Sequence, residues 1–401
     1  MAKFVFIVPP LTGHINPTLS MGAVLLERGH QVGWITLDES LAARLPEGGE
    51  LLHISYDEND EQKRESEQYL DIITKKIVYG IDSLKFLYEE VLIPLNRHSY
   101  DGIIHLLDQF EPDLVITDHQ MFAGAIAATN KGLPYATSVT APAAIKVMEE
   151  LPKVHEWEMN QVIGLQREFG VEAETPIVCS DLLTMVLTSQ AFFGDMELTP
   201  NFRFTGPVIN RPATKTAFDW DKLKESNNPK ILISIGTTFD HEHKKSFFTK
   251  VIEAFGNEDI TAVVVSDPDL FEQWPANFIV QRHVPQLDLL PHLDAVVCHG
   301  GHNTVCETLS NGLPMVVIPI AYDQSHVAGR VVRTGAGERL NFNRFKAHHL
   351  KEAVNTVLNN PAYKESAEVI KQSFLEAGGT ATAADLLEQI ASKQSLEVLK
   401  N

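Results

Sequence analysis

The chain has 401 residues, 44% of them hydrophobic and 21% charged, with a formal net charge of −20. That length and a globular composition suit two domains of roughly 200 residues, each with its own core. The acidic balance excludes a nucleic acid or an anionic membrane as partner, because phosphate surfaces are held by a surplus of Lys and Arg.

The first apolar run, Phe4–Val8, ends at Pro9-Pro10 and reads as a buried parallel strand. A loop over Leu11–Ile15 follows, with Asn16 as N-cap and Pro17 as first residue of a helix that stops at Gly29. Gln31–Thr36 is a second strand, and this strand–helix–strand unit opens an α/β sheet. Tyr56–Tyr69 is charge-rich, lacks a core pattern and reads as a loop, and residues 73–109 read as helical. Asp113–Thr117 and Pro134–Val139 are strands around a helix over Met121–Asn130. Residues 145–170 are helical and lie between strands, where insertions shape a binding pocket.

From 208 to 229 the pattern is lost, and this stretch reads as a linker between an N-terminal domain (1–207) and a C-terminal domain (230–381). Strands are expected near 231–235, 261–266, 277–281, 294–298 and 314–319. Residues 382–401 form an amphipathic terminal helix. The fold class is therefore α/β, with two doubly wound domains facing across a cleft. Cys179, Cys298 and Cys306 supply no disulfide framework. No window holds a signal peptide or the ~18 apolar residues of a membrane span, so the expected setting is the cytoplasm and the expected assembly a monomer or weak homodimer.

The most informative stretch runs from His283 to Gln324. Its centre is a strand, Asp294–Cys298, a loop His299-Gly300-Gly301-His302, and a helix starting near Asn303-Thr304. Glycines after a strand let the backbone approach a ligand closely, and the helix N-terminus favours a phosphate by about 0.3–1 kcal/mol. In a chain this acidic, such backbone amides are the natural seat for a diphosphate.

These residues, with Val284-Pro285-Gln286, His292, Glu307, Gly312, Pro314, Pro319 and Asp323-Gln324 at their spacings, resemble the nucleotide-sugar signature of the UDP-glycosyltransferases. The resemblance extends to Gly13-His14-Ile15-Asn16-Pro17 and to the two-domain layout, so it implies the arrangement called GT-B with the last helix crossing back to the first domain. It implies that His283 stacks on the base, that Val284 offers its backbone to the pyrimidine edge, and that Gln286 and Glu307 reach the ribose. His299, Gly301, Asn303 and Thr304 would hold the diphosphate with help from Thr237, while Asp323 and Gln324 would bind the donor sugar. His283 and His302 stand where the plant enzymes have tryptophan, which leaves uracil or thymine open as the base.

The resemblance also implies a UDP-sugar co-substrate, a small hydrophobic acceptor, and no metal or other cofactor. An acceptor hydroxyl has a high pKa and needs a base poised near neutrality, which His14 supplies. Asp118, just past a strand end, is placed to stabilise the imidazolium, or else to cap the following helix; Asp113 is the rival carboxylate. Phe86, Met121 and Phe122 are the candidate acceptor pocket. Structural readings stand beside these: Glu307 pairs with Thr304 as a capping box, Asp323 caps the next helix, and Thr237 is a turn residue. Cys298, His299, His302 and Cys306 have the chemistry of zinc ligands but not their usual spacing. Asp267-Pro268-Asp269 mimics a metal-binding DxD in what reads as a turn. A nucleotide-sugar epimerase and a non-catalytic nucleotide-sugar-binding subunit are the competing functions.

Overall fold

The computed structural model describes residues 1–55, 82–209, 216–236 and 241–398. Two wholly parallel sheets organise them. The first takes strands in the order β3-β2-β1-β4-β5-β6-β7 and the second β10-β9-β8-β11-β12-β13. In the first half these are β1 (Lys3–Ile7), β2 (Gln31–Thr36), β3 (Glu50–His53), β4 (Leu114–Asp118), β5 (Tyr135–Val139), β6 (Thr184–Val186) and β7 (Phe202–Phe204). In the second they are β8 (Lys230–Ser234), β9 (Thr261–Val265), β10 (Phe278–Gln281), β11 (Ala295–Cys298), β12 (Met315–Val317) and β13 (Gly337–Arg339). The reversals of strand order, β1/β4 and β8/β11, are the switch points at which such sheets open a ligand crevice beyond their carboxyl ends.

The helices used below are α1 (Thr12–Glu27), α2 (Gln190–Phe193), α3 (Trp220–Glu225), α4 (His302–Ser310), α5 (Gln324–Arg333), α6 (Pro361–Ala377) and α7 (Gly379–Val398). Both faces of each sheet are covered. Phe4, Phe6, Ile116 and Met185 pack beneath α1, and Val5, Ile7, Ile35 and Val115 face the opposite layer. The central strands are therefore buried along nearly their whole length, which is why they read as unbroken apolar runs.

Three local expectations change. α1 begins at Thr12, four residues before Asn16, because extended Leu11 acts as N-cap and its carbonyl accepts from His14 N at 2.9 Å and Ile15 N at 3.0 Å. Pro17 thus lies inside the helix, and His14 sits in its first turn instead of a loop. The linker is shorter than 208–229: Asp219 caps Lys222 N at 3.0 Å, and α3 buries Leu223 in the second core with Phe218 and Trp220 packed beside it. Residues 210–215 lie outside the described residues, as does the expected loop over Tyr56–Tyr69.

The halves are tied in several places. Phe192 of α2 enters the second half's core, against Phe374, and its carbonyl accepts from Arg330 Nε at 2.7 Å. The terminal helix α7 returns to the first half, where Ala383, Ala384, Leu387 and Ala391 are buried beside α1. Arg28 pairs there with Asp385 at 2.8 Å, and His30 with Glu388 at 2.8 Å. No helix among the described residues is long and apolar enough to cross a membrane.

Leu387 is fully buried in this return contact. Leu387→Ala should destabilise the first half by about 2–5 kcal/mol, read as a lower denaturation midpoint; an unchanged midpoint would show that α7 does not stabilise that core.

Candidate active site

β1 and β4 pair in register, Ile7 opposite Thr117, so the segments leaving their carboxyl ends are neighbours. The segment after β1 carries His14, and Asp118, expected just past the strand, is the last residue of β4. His14 Nδ1 lies 3.0 Å from each Asp118 carboxylate oxygen. The carboxylate also accepts from Gln120 N at 2.9 Å and from Thr140 Oγ1 at 3.0 Å. Thr140 follows β5, and its hydroxyl lies 2.8 Å from His14 Nδ1 as well. The Asp118 side chain is wholly buried, while 14% of the His14 side chain is exposed.

Burial alone would lower the His14 pKa, but the Asp118 charge and hydrogen bond outweigh it and hold the imidazole above 6.5. Burial would raise Asp118, yet His14 and His119 keep it well below the usual carboxylate range. With Nδ1–H committed to the carboxylate, Nε2 is the nitrogen with a free lone pair, which is the tautomer a general base requires.

Sequence reasoning missed two members of this cluster. His119 is buried, stacks on His14 at 5.7 Å between centroids, and has Nδ1 3.4 Å from Asp118 Oδ1. Neither of its ring nitrogens has a hydrogen-bond partner. Thr140 was legible only as the residue after a strand beside β4. Asp113 is removed as a rival: it lies at the amino end of β4 and accepts from Lys3 N at 2.7 Å. Nor does Asp118 cap the next helix, whose N-cap is Met121.

In the second half, the loop after β11 brings His299 between two glycines. An added Cβ at Gly301 would lie 2.8 Å from the His299 ring, too close without a shift of that ring, and at Gly236 it would lie 3.0 Å away on a backbone whose φ of +77° favours glycine. Gly300 has φ +91°, a left-handed conformation that glycine adopts without strain. Burial pushes the His299 imidazole down to about 4, so it is neutral at ordinary pH, and its buried Nδ1 lacks a hydrogen-bond partner. α4 starts at His302 with Gly301 as N-cap, no side-chain cap and no acidic residue in its first turn. Asn303 and Thr304, both half-buried, belong to that turn.

The capping box between Thr304 and Glu307 does not form, because the helix starts earlier than expected. Glu307 instead accepts from Gln286 Nε2 at 2.5 Å, and burial raises its carboxyl to about 7 against the opposing effect of that bond. His283 is exposed nearby, and Val284 packs on the core. Asp323 stands at the N-cap position of α5 without capping it. Burial raises its pKa, and the charges of His14, His326 and His119 oppose this. Gln324 is buried, and its carbonyl oxygen is taken by Ile320 N at 2.9 Å and Ala321 N at 3.1 Å, leaving only its N–H donors for a ligand.

Thr237 lies outside the described residues. Phe86 and Phe122 share one buried cluster and Met121 belongs to another, so all three contribute more packing than open surface. Cys298 is inside β11, and Cys306 Sγ lies 3.4 Å from His302 Nε2 within α4. Among the described residues the cysteines enter no metal-compatible group; the one such group is His14, Asp118 and His119. Asp267 and Asp269 are exposed and pair with Arg282 at 2.7 and 3.2 Å.

Residues 173–375, just over half of the chain, match the family described as UDP-glucoronosyl and UDP-glucosyl transferase. The chain belongs to that family. It is a glycosyltransferase of the two-domain GT-B type. It is 28% identical to the NDP-glycosyltransferase YjiC of Bacillus subtilis, across 96% of this chain and 97% of that one. It is 25% identical to 4'-demethylrebeccamycin synthase of Lentzea aerocolonigenes, across 96% and 99%. Among solved structures it resembles glycosyltransferase VinC in complex with dTDP, with TM-score 0.74, 18% identity, and 98% and 100% of the two chains covered.

In the glycosyltransferase, His14 should titrate above pH 6.5, and in Asp118→Asn below it, because burial then acts without the carboxylate. Proton NMR of the imidazole checks this; an unchanged midpoint would mean that Asp118 does not set the charge of His14. The stability contributed by His14 protonation is fully present below pH 6.5 and is lost as pH rises through the folded-state value.

Proposed function

We propose that the protein is an inverting hexosyltransferase, moving glucose from a UDP-sugar to a hydroxyl of a small hydrophobic acceptor with His14 as general base. The observation that carries this reading is the His14 imidazole at the carboxyl end of the first sheet, its Nδ1 3.0 Å from both oxygens of the wholly buried Asp118 carboxylate. An imidazole oriented in this way by a buried carboxylate is what a general base for a hydroxyl requires.

The acceptor hydroxyl gives its proton to His14 Nε2 as its oxygen attacks the anomeric carbon. The bond from that carbon to the diphosphate oxygen breaks on the opposite face, so an α-linked donor yields a β-glycoside. Asp118 and Thr140 hold the ring and stabilise the imidazolium. The negative charge left on the diphosphate meets the N-terminus of α4 and the Thr304 hydroxyl, electrostatic help that a neutral His299 supplements as a hydrogen-bond donor. The scheme uses neither a metal nor a resident cofactor. The name of YjiC supports a nucleoside diphosphate donor, and that of the rebeccamycin synthase a natural-product acceptor, for which we propose a polyphenol, macrolide, terpenoid or carotenoid.

Labelled UDP-glucose incubated with a panel of phenols should give a labelled β-glycoside. Isomerised donor, or binding without turnover, would overturn the reading in favour of an epimerase or a binding subunit. His14→Ala should lower kcat by ~10²–10⁴-fold and leave the Kd for UDP within about twofold. Full transfer by that variant would remove His14 as the base.

A further inference from the structure

Pro17 has no N–H, so the carbonyl four residues back in α1, that of Gly13, lacks its helical donor. A donor arrives from the other half of the molecule: Asn303 Nδ2, in the first turn of α4, lies 3.0 Å from Gly13 O. An added Cβ on Gly13 would stand 3.3 Å from the same nitrogen, tighter than an ordinary contact, so the missing side chain at 13 admits the amide. Three separate features, an interior proline, a bare backbone and an aimed carboxamide, meet at one hydrogen bond. The residue after Gly13 is His14.

We propose that Asn303 is a positioning residue, tying the turn that carries His14 to the amino end of α4. The inference rests on the proposed function for its consequence: where the diphosphate sits at that helix end, seating the donor and placing the base become one event. A carboxamide has a second N–H, so the bond to Gly13 leaves one donor free for a phosphate. The role is indirect, through backbone, and touches no reacting atom.

Pro17→Ala gives α1 its own N–H at position 17, which competes for Gly13 O and leaves the donor residues intact. Alanine inside a helix favours the fold. This variant should lose about tenfold in kcat with the Kd for UDP unchanged within about twofold, the size expected for one hydrogen bond. Asn303→Ala should lower kcat and also weaken UDP. In the double variant the kcat losses should fall about tenfold short of the product of the single losses, while the effect on UDP stays that of Asn303→Ala. Multiplicative losses in kcat would overturn the proposal.

A readout without turnover separates this idea from the proposed function. Hydrogen exchange at the amides of His14, Ile15 and Asn16 should be about tenfold faster in Asn303→Ala than in the unaltered protein, with the last two turns of α1 unchanged. Equal exchange at those three amides would overturn the proposal, whether or not the protein transfers a sugar.

Discussion

A carboxylate taken wholly out of water must be matched by donors or it costs several kcal/mol. Asp118 is such a group, and the first domain is built around satisfying it. The donors come from three places along the chain: His14 after β1, Gln120 after β4 and Thr140 after β5. They meet because those strands are neighbours in the order β1-β4-β5, so the sheet topology and the ionisation of the site are one constraint. His119 brings a second imidazole to 3.4 Å from the same carboxylate, and with His14 it holds Asp118 below the usual carboxylate range.

The second domain solves a different problem. The chain has 33 Lys and Arg against 53 Asp and Glu, and its proposed ligand carries a diphosphate. Among the described residues of the loop after β11, His299 is kept neutral by burial, and the first turn of α4 has an uncapped glycine N-cap. In the proposed scheme, backbone dipoles take the part that Lys and Arg play elsewhere. Gly301 matters as well, since a side chain there would push against the His299 ring.

The long central strands and the signature from His283 to Gln324 were legible because each leaves a mark along the chain: unbroken apolar runs in one case, fixed spacings in the other. The four strands that went unread, β3, β6, β7 and β13, lie at or next to a sheet edge, and polar residues such as Glu50, Thr184, Arg203 and Glu338 interrupt their apolar runs. The start of α1 was misplaced because Asn16-Pro17 has the chemistry of a helix entry, and only the bonds to the Leu11 carbonyl reveal the earlier turn. His14 and Asp118 were found as candidates through motif and strand end. Thr140, His119 and the engagement of Asn303 with Gly13 arise from tertiary approach over separations that no local pattern records.

The chain crosses between its halves twice, and the crossings lie side by side. Gly379 N donates to Thr205 O at 2.6 Å, and Gly206, with φ +77°, has no room for a Cβ beside the Phe374 carbonyl. The outgoing and returning segments are therefore stitched together, and residues after 379 belong structurally with the amino-terminal half. A recombinant enzyme that exchanges donor specificity between relatives needs two splice points here, one before α3 and one at Gly378-Gly379. A hybrid cut only once would carry a foreign final helix against a native α1, with the Arg28 and His30 ion pairs left to chance.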